Sequence, residues 1–155
     1  MQDNTCCFIG HRTINETEEL KRKLRKAIEN LITEHGVDTF LFGSGSRFNS
    51  LCLEIVTNIK QIHQHIKRIY VRAEFPYINE SYTAYLLKSY DDTYFPEKIL
   101  NAGKAVYVER NREMIDKSHF CIFYYDESVK SNSRKSGTHI ALNYAQSKSK
   151  EIFIF

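Results

Sequence analysis

Thr5-Cys6-Cys7-Phe8-Ile9-Gly10-His11-Arg12 is an apolar run that stops at a glycine and a basic pair, just ahead of a long helical pattern. It reads as a first strand delivering a loop. In open α/β sheets ligands bind where strands end and helices begin, because helix N-termini there present unpaired backbone N–H groups to anions. Gly10 would let a backbone or ligand come close, and Arg12 adds a forked cation. An ordinary strand-to-helix turn with two exposed basic residues fits this stretch equally well, and the segments that follow decide between the two.

Residues 16–35 carry Leu20, Leu24, Ala27, Ile28, Leu31 and Ile32 at helical spacing and end at Gly36, which predicts one amphipathic helix. Val37-Asp38-Thr39-Phe40-Leu41-Phe42 is then nearly continuous in apolar and β-branched residues. That is the mark of a strand covered on both faces, hence of a parallel sheet. Gly43-Ser44-Gly45-Ser46 follows at once, and a new helical pattern begins with Leu51, Leu53, Ile55, Val56 and Ile59. A strand, a Gly/Ser loop and a helix in succession can cradle a phosphate, the glycines permitting close approach and the hydroxyls donating. The loop is neither a Walker motif nor the dinucleotide fingerprint. Ser46 or Asn49 capping the helix is the plainer alternative.

Lys67-Arg68-Ile69-Tyr70-Val71 predicts a third strand and residues 79–89 a short helix within a tyrosine-rich segment, followed by an irregular Asp91-Asp92-Thr93 turn. The tyrosines could stack on a base, although packing a helix onto the sheet with their hydroxyls in water accounts for them as well. Lys104-Ala105-Val106-Tyr107-Val108 reads as a fourth strand, with Arg110, Asn111 and Arg112 opening the next helix. Cations oppose the helix dipole in that position. An anionic ligand at Arg110 and Asn111 would remove the conflict, and so would pairing with Glu109, Glu113 and Asp116. His119-Phe120-Cys121-Ile122-Phe123-Tyr124-Tyr125 is the most apolar strand and is expected centrally. Ser136-Gly137-Thr138 then precedes a helix with Ile140, Ala141, Leu142 and Ala145, and Ile152-Phe153-Ile154-Phe155 closes the chain. The alternation predicts an α/β, Rossmann-like three-layer fold with a mostly parallel sheet flanked by helices, in one domain over residues 1–155. Three glycine-bearing turns at strand ends point to one ligand edge, with an anion or nucleotide phosphate expected between residues 10–12 and 136–138.

Composition narrows the function classes. The chain has 155 residues, 42% hydrophobic and 26% charged, with two Pro and six Gly, and is long enough to bury a core. A formal net charge of +3 is too small to announce a nucleic-acid partner without a concentrated basic patch. His63 and His65 are two residues apart, so on a helix they face different ways, which argues against a shared metal. No cofactor is implied. No charged-then-apolar leader is seen and no apolar stretch approaches the ~20 residues of a membrane span, so a cytoplasmic location without membrane contact is expected. A homo-oligomer is compatible with everything above.

The first stretch, Phe42-Gly43-Ser44-Gly45 with Leu53-Glu54-Ile55-Val56, Arg110-Asn111-Arg112-Glu113-Met114-Ile115-Asp116-Lys117-Ser118, and Ser136-Gly137-Thr138 with Asn143-Tyr144-Ala145 together resemble the SLOG superfamily of Rossmann-like proteins, within it the YpsA-like group. The resemblance spans nearly the whole chain. It implies a parallel sheet between helices and a nucleotide or nucleotide-derived ligand over the strand ends. Carried onto this sequence, it implies a pocket lined by Gly10, His11, Arg12, Gly43, Ser44, Gly45, Ser46, Arg110, Asn111, Ser136, Gly137 and Thr138. Where the group has Gly-Phe-Asp after its second glycine turn, Arg47-Phe48-Asn49 stands here.

The same superfamily includes the lonely-guy type phosphoribohydrolases, which use an arginine and a glutamate. Arg110 matches the arginine, but Ala141 stands at the glutamate position, leaving Glu109 or Glu113 as the substitutes to consider. The leading reading is therefore a nucleotide-binding or sensing protein without strong catalysis. A nucleoside-monophosphate N-glycosidase is the second, and a single-stranded DNA binder resembling DprA proteins, using Lys130, Arg134 and Lys135, is the third.

Cys6, Cys7, Cys52 and Cys121 all sit in apolar runs without the spacing of a disulfide framework or a zinc knuckle. Thiol titration of the denatured, unreduced protein should count four free thiols per chain. A lower count would refute the assignment.

Overall fold

The computed structural model describes residues 2–73, 80–99, 103–126 and 137–155. The strands are β1 (Thr5–Gly10), β2 (Thr39–Phe42), β3 (Lys67–Val71), β4 (Asp92–Tyr94), β5 (Phe120–Tyr124) and β6 (Glu151–Ile154). They form an all-parallel sheet in the order β4-β3-β2-β1-β5-β6. The helices are α1 (Glu18–His35), α2 (Arg47–Lys60), α3 (Glu80–Leu86), α4 (Val106–Asp116) and α5 (Gly137–Ser147). Helices cover both faces, giving the three layers of a Rossmann-like α/β fold. Among the described residues no helix is long and apolar enough to cross a membrane.

The two faces carry separate cores, as the alternation of side chains along each strand requires. On one face Phe8, Phe40, Phe42 and Tyr70 pack against Leu24, Ile28 and Leu31 of α1 and Phe48, Cys52 and Val56 of α2. On the other, Cys7, Ile9, Leu41 and Val71 pack against Met114 and Ile115 of α4 and Ala141, Leu142 and Ala145 of α5. Every residue of β2 and β5 is buried, which is why these strands read as unbroken apolar runs. The four cysteines are buried and free, and Cys7 and Cys121 are register partners across β1 and β5. Burial pushes the Cys6 and Cys52 thiols well above their ordinary range, so both stay protonated.

α1 has well-formed ends. The Thr17 side chain accepts a hydrogen bond from the Leu20 amide at 3.0 Å, Glu18 and Glu19 occupy the positive end of the dipole, and Gly36 closes the helix at φ 68°.

Two elements differ from expectation. The segment expected as a fourth strand is a 3-10 turn, Gly103–Ala105, running into α4. Its β-branched residues suggested a strand, yet the buried residues are Val106, Arg110, Glu113, Met114 and Ile115, and that spacing is helical. The sheet takes its edge strand instead from Asp92–Tyr94, expected as an irregular turn. That strand is held by the Arg72 amide on Tyr94 O at 2.8 Å and by the Thr93 hydroxyl on Tyr70 O at 2.8 Å. Within the tyrosine-rich segment, Tyr90 packs against Phe42 and Tyr70 with ring centroids 5.5 and 5.1 Å away, whereas Tyr85 is exposed.

The chain leaves β1 in one direction to build β2, β3 and β4, then crosses back to place β5 and β6 on the other side. β1 and β5 therefore flank the topological switch point. At the end of β1, a Cβ on Gly10 would lie 2.6 Å from Cγ and 2.8 Å from Cβ of Phe48. Gly10 is thus where the first turn of α2 rests on the sheet. Gly10→Ala should lower unfolding free energy by about 1–3 kcal/mol through overpacking, whereas Gly45→Ala, with open space around its Cβ position, should stay within about 0.5 kcal/mol. Urea denaturation of both variants checks this; equal effects would remove the Phe48 contact as the cause.

Candidate functional site

The residues expected to line a ligand pocket come from four segments, and the fold brings three of them, as far as they are described, to the carboxyl ends of the strands. At the end of β1, His11 is buried and its Nε2 accepts a hydrogen bond from the Asp126 amide at 3.0 Å. Its ring lies against Tyr124 and Tyr125, with centroids 6.0 and 5.6 Å apart. Burial lowers the His11 pKa below its ordinary value, only partly opposed by Asp126. The imidazole is therefore a neutral acceptor that ties the loop after β1 to the loop after β5. Arg12 next to it is exposed, and its carbonyl accepts from the Arg47 amide at 2.9 Å, joining the loops after β1 and β2.

The turn after β2 is wired from within. Ser46 caps α2, its hydroxyl accepting from the Asn49 amide at 3.1 Å and from the Ser44 hydroxyl at 2.9 Å. Asn49 Oδ1 in turn accepts from the amides of Gly43 and Ser44 at 3.2 and 3.4 Å, and its Nδ2 donates to the Tyr90 hydroxyl at 3.1 Å. Burial pushes Tyr90 up to about 12. Of the two residues considered as caps, Ser46 caps α2, and Asn49 instead holds the turn from inside. Among the described residues no backbone acceptor is found for the amides of Gly45 and Phe48. Arg47 is engaged in a fork with Glu16, at 2.7 and 2.6 Å, and with Glu54 at 3.2 Å.

Arg110 reaches the same edge from α4. It is the fifth residue of that helix, not part of its first turn, so the expected conflict with the helix dipole does not arise. A Cβ on Gly43 would lie 2.6 Å from Arg110 Cδ, 3.0 Å from its Nε and 2.6 Å from Met114 Sδ. The missing side chain at Gly43 is what admits the buried arginine over the end of β2. Arg110 Nε donates to Asn111 Oδ1 at 3.0 Å, and the guanidinium carbon stands 5.7 Å from the Tyr107 ring centre.

The nearby carboxylates have other partners. Glu113 accepts from the Tyr94 hydroxyl at 3.0 Å and pairs with Lys98 at 3.2 Å; Asp116 pairs with Lys98 at 3.3 Å and accepts from the Tyr144 hydroxyl at 2.7 Å. Glu109 pairs with Arg112 at 2.9 Å, and Arg112 also lies over the Tyr144 ring.

Of the third glycine turn, Gly137 is exposed and Thr138 buried at the start of α5, while Ser136 lies outside the described residues, as do Lys130, Arg134 and Lys135. One residue further, His139 Nδ1 is 3.1 Å from the Tyr125 hydroxyl and Nε2 is 3.2 Å from Asn143 Nδ2, so α5 is tied to the end of β5. The sequence reading missed the Asn49–Tyr90 and Tyr125–His139 pairs. The signal for the first was an amide three residues into a helix behind a Gly/Ser turn; the second links residues fourteen apart that nothing local pairs.

Two surface depressions, about 320 and 440 Å³, lie elsewhere, between α1 and α2 and between α2 and Arg68. His63 and His65 sit in the turn after α2, with ring centres 6.2 Å apart. Among the described residues no group of three His, Cys, Asp or Glu could hold a metal ion. No protein-family model matches the chain, and no curated protein matches it.

The unfolded His11 imidazole takes its proton near 6.5, whereas the buried one takes it only at lower pH. The unfolded chain therefore binds more protons in between, and stability falls as pH drops from there through the folded value. Urea denaturation at pH 7.5 and 5.5 should show wild type losing more stability than His11→Gln, whose amide oxygen accepts from Asp126 at either pH. Identical losses would show that His11 is not a buried neutral acceptor.

Proposed function

We propose that this protein binds a nucleotide or nucleotide derivative across the carboxyl edge of its sheet and does not act strongly on it. The observation that carries the reading is the placement of buried Arg110 over Gly43, beside the turn at the start of α2. A planar, permanently charged fork next to helix-terminal amides suits a phosphate. The resemblance to SLOG proteins supports the same edge and the same ligand class.

The N-glycosidase reading requires a carboxylate beside the sugar. Glu109 and Glu113, the two candidates, are engaged by Arg112 and by Tyr94 with Lys98, and Ala141 offers nothing in their place. That favours binding over hydrolysis. It also supplies a discriminating assay, since an N-glycosidase would release free base from a nucleoside monophosphate.

Calorimetry against nucleoside mono-, di- and triphosphates, with chromatography of the mixtures, tests the reading. A charge-assisted hydrogen bond contributes about 1.5–3 kcal/mol, so Arg110→Ala should weaken binding by roughly ten- to a hundredfold. Arg110→Lys should recover little of it, because the ammonium keeps the charge and loses the fork. Unchanged affinity in both folded variants, or no binding by wild type, would sink the proposal.

A further inference from the structure

β6 is an edge strand with the sequence of an interior one. Ile152, Phe153 and Ile154, with Phe155 after them, are apolar on both faces, the pattern of a strand covered above and below. The sheet nevertheless places it last, beside β5 alone. Phe153 and Phe155 pack against the α1 and α2 core and Ile152 against the α4 and α5 core, each only partly buried, and Ile154 is 52% exposed. The opposite edge is built differently: β4 has three residues, two of them polar, and Asp91 just before it is paired with Arg68 at 3.0 Å. Short, polar or charged edges resist pairing with another strand, and within β6 only Glu151, at its start, is of that kind.

The outward groups of β6 follow from its ladder. The Glu151 amide donates to His119 O at 3.1 Å, the Phe155 amide donates to Phe123 O at 2.8 Å, and Phe155 O accepts from the Tyr125 amide at 3.3 Å. Alternation along the strand then turns the N–H and C=O of Ile152 and Ile154 away from β5, and among the described residues no backbone group pairs with them. Phe153 lies midway between the two. An identical strand laid antiparallel about a two-fold axis at Phe153 sets Ile152 opposite Ile154 of the second copy, in a pair that exchanges both backbone hydrogen bonds. Phe153 then faces its own copy in the closer, non-hydrogen-bonded position, where an aromatic pair is favourable. No other centring matches the two isoleucines with each other. Charge agrees with the antiparallel direction: the amino end of β6, after Lys148 and Lys150, comes to the end of the second copy's sheet where Asp126 follows β5, and the two Glu151 carboxylates stand at opposite ends of the pair.

We propose that β6 is the interface of a two-fold dimer, in which two copies of this chain join their sheets edge to edge through antiparallel β6 strands. The inference goes beyond the ligand reading and does not rest on it, because β1 and β5 separate β6 from β2, over which Arg110 sits.

Sedimentation equilibrium over a dilution series should show a reversible dimer, and the wild-type melting temperature should rise with protein concentration. Ile154→Lys charges an already exposed position and should raise the dimer Kd roughly tenfold or more, since each substitution acts twice across the two-fold. Ile154→Pro removes only an outward N–H, so it should give a monomer that melts with dilute wild type. Phe153→Cys should cross-link into a dimer under a mild oxidant, whereas Glu151→Cys should not. A wild type that stays monomeric at every concentration overturns the proposal; slow hydrogen exchange at its Ile152 and Ile154 amides would then mean that the edge is covered from within the chain. A dimer left equally tight by both Ile154 variants, or cross-linked through residue 151 and not 153, uses another surface or register, and the proposal falls.

Discussion

The approach of the Phe48 ring to Gly10 sets the position of everything at the carboxyl edge of the sheet. Phe48 is fully buried in the first turn of α2, and it can reach the end of β1 because no side chain stands there. With that contact made, Ser46 is placed to cap the helix and Asn49 to turn back onto the amides of Gly43 and Ser44. The Arg47 amide meets the Arg12 carbonyl as part of the same seating. One glycine therefore registers two loops and a helix terminus at once. Gly43 plays the corresponding part on the opposite face, where its bare backbone admits Arg110 and Met114. The two glycines that looked like ligand-loop residues are used for packing, and the carboxyl edge of the sheet is shaped by what packs against them.

This changes how the polar groups of the edge are apportioned. Buried amides and side chains are nearly always paired, and here most of the donors that a phosphate would use are already paired internally. Asn49 suits this task because an amide both accepts and donates, linking the turn to Tyr90. His11 does the same between the loops after β1 and β5, as a neutral ring. Rigidity of this kind fixes the remaining donors, which would lower the ordering cost of binding a ligand there.

Much of the fold was legible because burial on both faces writes itself directly into sequence. β1, β2 and β5 appear as apolar runs, and α1 and α2 as stripes of Leu and Ile bounded by recognisable ends. The edge was harder. β4 is three residues of half-exposed, polar character whose strand identity comes only from pairing with β3. Val106-Tyr107-Val108 has high strand propensity, but Val106 joins Ala73 and Ile99 in a small satellite core that only a helix can present together with Met114 and Ile115. At the site, the sequence could pick out glycine turns and arginines because they are residue types with few other uses at strand ends. It could not show that Asn49 fills the turn, that His11 is neutral, or that Arg72 is buried, since each depends on partners distant along the chain.

The usual place for a ligand in such a sheet is the switch point between β1 and β5. In this protein that point is bridged by His11 and Asp126. The buried arginines stand elsewhere: Arg110 over the end of β2 from the α4 face, and Arg72 just after β3, donating to Thr83 of α3. These two buried cations are thereby one to two strands away from the switch point. A ligand engaged by both arginines would have to cross the rim of the sheet between β2 and β3, exposing different parts of itself to the two faces. A nucleotide has that form, with an anionic end separated by a sugar from a flat, uncharged base. Arg12, nearest to the switch point, is exposed, whereas Arg72 and Arg110 are buried in a medium of lower polarity, where a charge interacts more strongly with its surroundings.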